Sequence, residues 1–221
     1  MTVWTALGAA AVAYLIGSVP IGVIVVRLTT GKDVLNEHSG RTGGTNVMRT
    51  AGLWAGLVTG LGDVLKGYAA VALARAIAPS ADWLHAIAGV LAVLGHNHSI
   101  FLPERRDGRL RLRGGAGGAS SLGAAIGMSP VTGYLILVVP VVLFGIGYAS
   151  VTTLTIGLMA TAVFVYQAAR GSGPWVYVGF GLAAEALMAW ALRPNLRRLA
   201  RGEERLIGWR ARRRDASDPP A

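Results

Sequence analysis

The chain has 221 residues, of which 53% are hydrophobic and only 14% charged, and its net charge is +10. Soluble domains carry about a quarter of charged residues, so this chain has too little charge to cover the surface of a soluble domain of its length. It contains no cysteine, which excludes disulfide bonds, thiolate metal sites and thiol nucleophiles. The composition therefore predicts a protein embedded in a membrane.

Seven apolar blocks follow one another along the chain, and a transmembrane helix needs about 20 such residues. We predict an all-α, polytopic helical bundle with about seven crossings. Six crossings remain the alternative, because the fourth block is short, rich in Gly and Ala, and could be a half-helix or a re-entrant segment. The first block carries no basic residue before Arg27, so we expect a retained helix and not a signal peptide. The blocks are 3–26, 53–78, 83–102, 117–128, 131–148, 151–169 and 174–192.

The basic residues are concentrated in or immediately beside three segments, 28–52, 103–116 and 193–221, and only three of the 21 Lys and Arg residues lie elsewhere. Seven crossings place these segments on one side of the membrane, and the positive-inside rule makes that side cytoplasmic. The amino terminus is then outside and the carboxyl terminus inside. We expect residues 1–200 to form the membrane domain and residues 201–221 to form a basic cytoplasmic tail that is partly disordered.

The first basic segment combines glycines, hydroxyl groups and arginines, as phosphate sites do. Gly40 and Gly43 let backbone N–H groups approach an anion closely, and Arg49 can bind a phosphate through two parallel hydrogen bonds. A helix that begins near Thr45 would add the partial positive charge of its N-terminus. The alternative is an ordinary polar connector, although the segment, at about 24 residues, is longer than most connections.

Charged residues also occur inside the apolar blocks. Asp63 and Lys66 are three residues apart, which places them on one face of the predicted helix. Ionisable groups within a membrane usually face a partner or a cavity, so the pair either locks two helices together or lets Lys66 reach a bound anion. Glu185 is an isolated acid in the seventh block, and we expect a helix–helix hydrogen bond or a basic partner for it.

The third signal begins with His96 and His98 at the end of one apolar block and continues into the glycine-rich stretch 113–121, which opens the next block. The glycine-rich stretch again offers backbone amides and a helix N-terminus to an anion, whereas the alternative is that its glycines permit close helix packing. Histidines two residues apart do not face the same way on a helix, so we expect no metal site. We therefore interpret His96 as a polar site residue.

These separate segments are expected to form one pocket, because each of them offers amides or cations to a phosphate. We predict that Gly40, Gly43, Arg49, Lys66 and the stretch 113–121 converge near the cytoplasmic membrane surface. The basic face also suits the anionic headgroups of membrane lipids. Nucleic acid is not an expected partner, because the arginine-rich tail lacks the interleaved aromatic residues of a single-strand binder.

Taken together, these segments resemble the acyl-phosphate:glycerol-3-phosphate acyltransferases of bacterial membranes, the PlsY type. The first motif of that family is approximately G-S-G-N-x-G-A-T-N-x-x-R, and residues 38–49 follow it. Residues 63–67 are similar to the family's D-x-x-K-G, residues 95–96 to the start of its third segment, and residues 14–22 to its first helix. The matches in the first motif are Ser39, Gly40, Gly43, Thr45, Asn46 and Arg49.

This sequence departs from the family pattern at several positions, so we interpret it as a divergent member. The two lysines of the family's third segment fall on Arg113 and Ala116, and the second charge is therefore missing. The asparagine that follows the family's S-G is Arg41 here, and the H-R-x-N pattern lies over residues 192–195 with its histidine lost. Arg41 or the basic stretch 104–111 is the candidate replacement for the missing cation.

The resemblance implies acyl transfer from acyl-phosphate to the primary hydroxyl of glycerol-3-phosphate, which yields lysophosphatidic acid and inorganic phosphate for phospholipid biosynthesis. It implies no cofactor, because acyl-phosphate is already activated, and a place in the inner (plasma) membrane with the active site on the cytoplasmic face. The alternatives are a relative that uses another phosphorylated acceptor, or a non-catalytic lipid-binding or transport protein. The candidate catalytic residues are Ser39, Arg49, His96 and Asn195, and the candidate binding residues are Gly40, Gly43, Thr45, Asn46, Lys66, Arg113, Gly114, Gly115 and Arg193.

Overall fold

The structure, a computed structural model, describes residues 1–207. It consists of helices α1 (Val3–Ser18), α2 (Ile21–Thr30), α3 (Gly44–Ala51), α4 (Leu53–Ile77) and α5 (Asp82–Asn97), a hairpin of β1 (Pro103–Arg106) and β2 (Arg109–Leu112), and helices α6 (Gly118–Met128), α7 (Leu135–Ile146), α8 (Ala149–Ala169) and α9 (Val176–Ala200). Short 3-10 turns cover Val34–Asn36 and Pro130–Tyr134. The tail expected to be partly disordered lies, from residue 208 onward, outside the described residues.

The first apolar block forms a single candidate span, Val3–Thr30, that is interrupted between α1 and α2. Pro20 causes the interruption, because proline lacks the N–H of a helical hydrogen bond and disfavours helical backbone in the preceding residue. The carbonyl oxygen of Val19 is thereby left without a helical partner, and it accepts a hydrogen bond from Nζ of Lys66 at 2.9 Å. A hydrogen bond from α4 therefore stabilises the break between α1 and α2.

The helices confirm a mostly helical membrane protein. In the part of the chain that the structure describes, four segments are long and apolar enough to cross a membrane, namely the α1–α2 span, α4, α8 and α9. Helix α7 belongs to a shorter apolar segment, Pro130–Ile146. Helix α6 has 11 residues, eight of them buried, and its length of about 17 Å is little more than half of a hydrocarbon core. The fourth apolar block is thus a buried half-length helix, and the number and direction of crossings stay predictions.

Helix α6 packs against α4 with glycine at the points of closest approach. A Cβ atom on Gly67 would lie 2.1 Å from the carbonyl oxygen of Ser120, and one on Gly123 would lie 1.9 Å from that of Val64. Glycine therefore allows the two backbones to touch, as small residues do between membrane helices. The contact brings the first turn of α6 to the middle of α4, where Oγ of Ser120 donates to the carbonyl oxygen of Asp63 at 3.2 Å.

Residues 103–112 form a short antiparallel hairpin, the one sheet among the described residues of this mostly helical fold. Its turn is Asp107-Gly108, with φ of +53° and +71°. Two successive residues with positive φ are what a two-residue type I′ turn requires, and Asp-Gly is a preferred pair for it. The dipeptide was visible in the sequence, so this hairpin was predictable from local turn chemistry.

Candidate active site

Two cavities share the side chain of Arg41. The first, which we call the arginine cavity, measures about 480 Å³ and is bounded by the loop before α3, the glycine-rich stretch before α6 and the last turns of α9. The second, which we call the apolar groove, measures about 530 Å³ and runs between α4, α7 and α8. The arginines of the arginine cavity are Arg41, Arg113, Arg193 and Arg197. Apolar side chains of the groove include Leu57, Leu61, Val139, Leu143 and Ile156.

Two helix N-termini line the apolar groove. Helix α3 begins at Gly44, which confirms a helix start near Thr45, and α6 begins at Gly118. Both glycines and Thr45 lie in the groove wall. The unpaired N–H groups of a helix N-terminus and the helix dipole attract negative charge. The groove therefore combines apolar walls with two favourable positions for an anionic group.

The loop before α3 is organised by Asn46, which the sequence predicted to contact a phosphate. The side chain is buried, and its Nδ2 lies within hydrogen-bond distance of the carbonyl oxygens of Val34, Glu37 and Arg41 at 3.2, 3.1 and 2.8 Å. Its Oδ1 accepts from the backbone N–H of Ser39 at 3.3 Å. The amide of Asn46 therefore shapes the loop before α3. Asn46 also lines the apolar groove, and its contact with a phosphate stays a prediction.

Arg113 joins this loop to the glycine-rich stretch. Its guanidinium donates to the carbonyl oxygens of Leu35 and Gly40 and pairs with the carboxylate of Glu104 at 3.2 Å. Gly40 has a φ of +65°, a conformation that glycine adopts without strain. Arg113 therefore holds Gly40 in place, and it also lines the arginine cavity.

Gly114 and Gly115 lie against the end of α5. A Cβ atom on Gly115 would come within 2.0 Å of Nε2 of His96, and one on Gly114 within 2.2 Å of the carbonyl oxygen of His96. The N–H of Gly115 donates to that carbonyl oxygen at 2.9 Å. Gly114 and Gly115 therefore permit close helix packing, which was the alternative interpretation of the glycine-rich stretch. Both residues also line the arginine cavity.

Asp63, Lys66 and His96 form a buried cluster beneath the groove. Nζ of Lys66 lies 2.9 Å from Oδ1 of Asp63, and Nδ1 of His96 lies 3.4 Å from the same oxygen. Asp63 and His96 line the apolar groove, whereas Lys66 lines neither cavity. This geometry does not support the expected phosphate contact of Lys66, because its ammonium is held by Asp63 and by the carbonyl oxygen of Val19. Its position in the structure is that of a helix-locking residue.

Arg41 is held by the last turns of α9. Its Nη1 donates to Oδ1 of Asn195 at 2.7 Å, and its Nη2 donates to the carbonyl oxygen of Ala191. Burial lowers the pKa of the Arg41 guanidinium from its usual value, Arg198 lowers it further and Glu204 raises it. Arg41 is therefore a partly desolvated cation between the two cavities. The candidate replacements for the missing lysine were Arg41 and the stretch 104–111, and Arg41 is the candidate that lines the cavities.

Arg49, Ser39 and Asn195 all lie in the wall of the apolar groove. Within residues 1–207, Arg49 donates only long hydrogen bonds, to the carbonyl oxygens of Arg205 and Leu206 at 3.3 and 3.5 Å. Burial, followed by the charge of Arg205, lowers the pKa of Arg49, and Glu204 raises it. Because these two hydrogen bonds are long and therefore weak, the Arg49 guanidinium can exchange them for hydrogen bonds to an anion in the groove.

The expected pocket therefore forms as two neighbouring sites. Gly40 and Arg113 line the arginine cavity, and Gly43 and Arg49 line the groove. Arg193 lies in the arginine cavity, where it stacks on Trp190 with its guanidinium carbon 3.0 Å from the ring centroid. Sequence reasoning missed Arg197, Trp190 and Asn97, which share this wall. Only the spacing of Arg193 and Arg197, one helical turn apart, could have indicated that both face one cavity.

Glu185 lies in α9 opposite Gly157 of α8. We expected a hydrogen bond or a basic partner for this acid. Within residues 1–207, its Oε2 is buried without a hydrogen-bond partner, and no ion pair of Glu185 is found there. The expectation was therefore wrong for the part of the chain that the structure describes, and Glu185 lines neither cavity.

Fold and site together define a polytopic helical membrane protein that offers an arginine-lined cavity beside an apolar groove. The sequence profile of the family described as glycerol-3-phosphate acyltransferase matches residues 7–202. The chain therefore belongs to the glycerol-3-phosphate acyltransferase family, as the motif in residues 38–49 had indicated.

Relatives and solved structures agree with this assignment. A glycerol-3-phosphate acyltransferase of Thermus thermophilus is 39% identical over 213 residues, which cover 96% of this chain and 98% of the relative. A second, glycerol-3-phosphate acyltransferase 2 of Moorella thermoacetica, is 36% identical over 90% of this chain and 96% of the relative. The crystal structure of PlsY, an integral membrane glycerol 3-phosphate acyltransferase, in its glycerol 3-phosphate form is similar with a TM-score of 0.77, 29% identity and coverage of 92% of this chain and 96% of that one. The lysophosphatidic acid form gives a TM-score of 0.73.

Proposed function

We propose that this protein transfers a fatty acyl group from acyl-phosphate to the 1-hydroxyl of glycerol-3-phosphate, with lysophosphatidic acid and inorganic phosphate as products. The observation that carries the proposal is the pair of cavities that share Arg41. One substrate is a small dianion, and the other combines a long apolar chain with a phosphate. A single basic cavity or a single apolar groove would accommodate only one of them.

Glycerol-3-phosphate is assigned to the arginine cavity, whose volume of about 480 Å³ and four arginines suit a small phosphorylated alcohol. Guanidinium groups bind phosphate through paired, charge-assisted hydrogen bonds. The acyl chain is assigned to the apolar groove, between α4, α7 and α8. Its phosphate then lies toward the N-termini of α3 and α6 and toward Arg49, because these are the groups of the groove wall that attract negative charge.

In the proposed reaction, the 1-hydroxyl oxygen of glycerol-3-phosphate attacks the carbonyl carbon of acyl-phosphate. The new ester C–O bond forms, the bond between the carbonyl carbon and the phosphate oxygen breaks, and the hydroxyl proton is transferred to the departing phosphate. Arg49 and the helix N-termini stabilise the charge on the leaving phosphate, and the shared Arg41 aligns the two substrates. His96 and Ser39 line the groove and are the candidates for orienting the hydroxyl.

The function can be tested with purified protein supplied with acyl-phosphate and glycerol-3-phosphate. We expect lysophosphatidic acid and inorganic phosphate in equal amounts, and no product with an acyl thioester as the only donor. Turnover that requires a different phosphorylated alcohol would instead identify a diverged acceptor. If no acceptor is acylated although lipid binds, a lipid-binding or transport protein would be the better description.

We propose that the protein lies in the inner (plasma) membrane with seven crossings and with the segments 28–52, 103–116 and 193–221 on the cytoplasmic face. The concentration of basic residues in these segments supports the orientation. Because the chain has no native cysteine, a Gly108→Cys variant provides a single thiol in the turn of the hairpin. We expect an impermeant maleimide to label it in inverted vesicles and not in intact cells. Labelling in intact cells would contradict the orientation.

Arg41 gives the proposal a residue-level test. Ala116 stands where the family carries a lysine, and it lines the apolar groove together with Arg41. If Arg41 supplies the missing charge, Ala116→Lys is expected to give no gain in kcat/KM in the wild-type background. In an Arg41→Ala background, however, the same lysine is expected to restore part of the lost activity. A gain from Ala116→Lys in the wild type would mean that the site simply lacks a cation.

A further inference from the structure

The chain beyond α9 folds back over the site. We call residues 204–207 the C-terminal strap. Glu204 and Ile207 are 3% exposed each, and the N–H of Ile207 donates to the carbonyl oxygen of Gly147, just after α7, at 2.9 Å. The strap thus connects the end of α9 to the end of α7 across the groove. It lies beyond residues 7–202, the range matched by the family profile.

Glu204 is the acidic residue of this strap, it lines the apolar groove, and each of its carboxylate oxygens accepts a hydrogen bond. Oε1 accepts from Nδ2 of Asn195 at 2.6 Å, and Oε2 accepts from Nε of Arg198 at 3.2 Å. The other end of the Asn195 amide, Oδ1, accepts from Nη1 of Arg41 at 2.7 Å. Glu204, Asn195 and Arg41 therefore form a continuous chain of hydrogen bonds from the strap to the wall shared by the two cavities.

The direction of this chain depends on the carboxylate. An asparagine amide can present either its oxygen or its NH2 group, depending on its partners. The carboxylate of Glu204 only accepts hydrogen bonds, so it fixes the NH2 group of Asn195 on its own side and turns the amide oxygen toward Arg41. Without the carboxylate, a rotated amide would present NH2 to a guanidinium, and the hydrogen bond to Arg41 would be lost.

We propose that Glu204 is a positioning residue that acts through Asn195 to hold the Arg41 guanidinium between the arginine cavity and the apolar groove, where it contacts the phosphates of both substrates. This inference rests on the proposed function, because it assigns Arg41 to both phosphates. It predicts that the strap, although distant in sequence from the first motif, controls the affinity for both substrates at once.

An autoinhibitory role of Glu204 is the alternative, and it predicts a fall in both KM values when the carboxylate is removed. A buried carboxylate close to Arg41 and Arg49 could compete with the substrate phosphates for these cations, and the strap would then be autoinhibitory. Removal of the carboxylate would in that case tighten substrate binding. The geometry favours positioning, because the carboxylate oxygens accept from Asn195 and Arg198, and no hydrogen bond or ion pair joins Glu204 directly to Arg41 or Arg49 among the described residues.

The test is steady-state kinetics of acyl transfer by the full chain carrying Glu204→Ala or Glu204→Gln, with both KM values measured. We expect Glu204→Ala to raise KM for glycerol-3-phosphate and for acyl-phosphate about tenfold each, the scale of one lost charge-assisted hydrogen bond. Glu204→Gln keeps an oxygen that can accept from Asn195, so it should recover a large part of the loss. The matched control is Glu203→Ala, which removes the same charge from an exposed neighbour and should leave both KM values unchanged.

A double variant separates positioning from a general effect on folding. If Glu204 acts through Arg41, Glu204→Ala should add little to the defect of Arg41→Ala, because residues in one network are not additive. A loss of folded protein would lower only the apparent kcat and leave both KM values as in the wild type. That result, or KM values that fall in Glu204→Ala, would overturn the inference while the acyltransferase activity stands. Wild-type protein without acyl transfer would overturn the proposed function itself, and this inference with it.

Discussion

Arg49→Ala is expected to lower the rate of acyl transfer by about ten- to a hundredfold while the protein stays folded. Charge-assisted hydrogen bonds contribute roughly 1.5–3 kcal/mol each, and about 1.4 kcal/mol corresponds to a factor of ten in rate. Arg49 lies in the groove wall, and its only hydrogen bonds in the described chain are two long ones to strap carbonyls. Its guanidinium is therefore free to form shorter bonds to a phosphate, which the alanine variant cannot replace.

Two variants make this result specific. Arg109→Ala removes an exposed arginine of the hairpin that lines neither cavity, so it should retain wild-type kinetics. Arg49→Lys keeps the charge but loses the planar pair of donors, and we expect activity between that of the wild type and Arg49→Ala. Equal activity of Arg49→Ala and wild type, measured at substrate concentrations below KM, would show that Arg49 does not bind the phosphate.

Lys66→Met should mainly reduce stability, by about 3–5 kcal/mol, the usual effect of removing one partner from a buried ion pair. Asp63 is 1% exposed and Lys66 is 7% exposed, and their 2.9 Å contact lies inside α4. The variant would leave the Asp63 carboxylate without its lysine partner, and the Val19 carbonyl would keep only the backbone N–H of Ile21 as a donor. We expect a clear fall in the unfolding temperature of the purified protein, measured in detergent.

The matched control removes both charges. An Asp63→Leu, Lys66→Met double variant leaves no uncompensated charge, so it should recover much of the stability that the single variant loses. A different result would restore the original sequence-based hypothesis for Lys66. If Lys66→Met unfolds at the wild-type temperature but no longer binds glycerol-3-phosphate, the main role of the Lys66 ammonium is to contact the substrate and not to stabilise α4 against Val19.

Local features of the sequence predicted most of the fold. The apolar blocks correspond to the observed helices, because about 20 apolar residues are needed to span a membrane, and the short fourth block became the half-length helix α6. Helix α3 begins at Gly44, next to the position where a helix start was considered from the sequence. The hairpin was missed although Asp107-Gly108 indicates it, because its strands have only four residues each.

The candidate site was less predictable, because its contacts join residues far apart in the chain. The hydrogen bond between Arg41 and Asn195 spans 154 positions, and no local pattern indicates such a pair. Side chains also have several possible partners in a sequence, and only the fold selects one. The amide of Asn46 holds its own loop, a role that its place in the first motif did not indicate. Lys66 could have reached the cavity, and it pairs with Asp63.

The central claim, that two cavities joined by Arg41 hold the two substrates, is tested most directly by an experimental structure with glycerol-3-phosphate and a non-hydrolysable acyl-phosphate analogue bound. We predict that the phosphate of glycerol-3-phosphate lies among Arg41, Arg113 and Arg193, and that the acyl chain lies between α4, α7 and α8. The Arg41 guanidinium should be within hydrogen-bond distance, about 3 Å, of both phosphates. A glycerol-3-phosphate bound away from the arginine cavity, or an acyl chain outside the apolar groove, would contradict the claim.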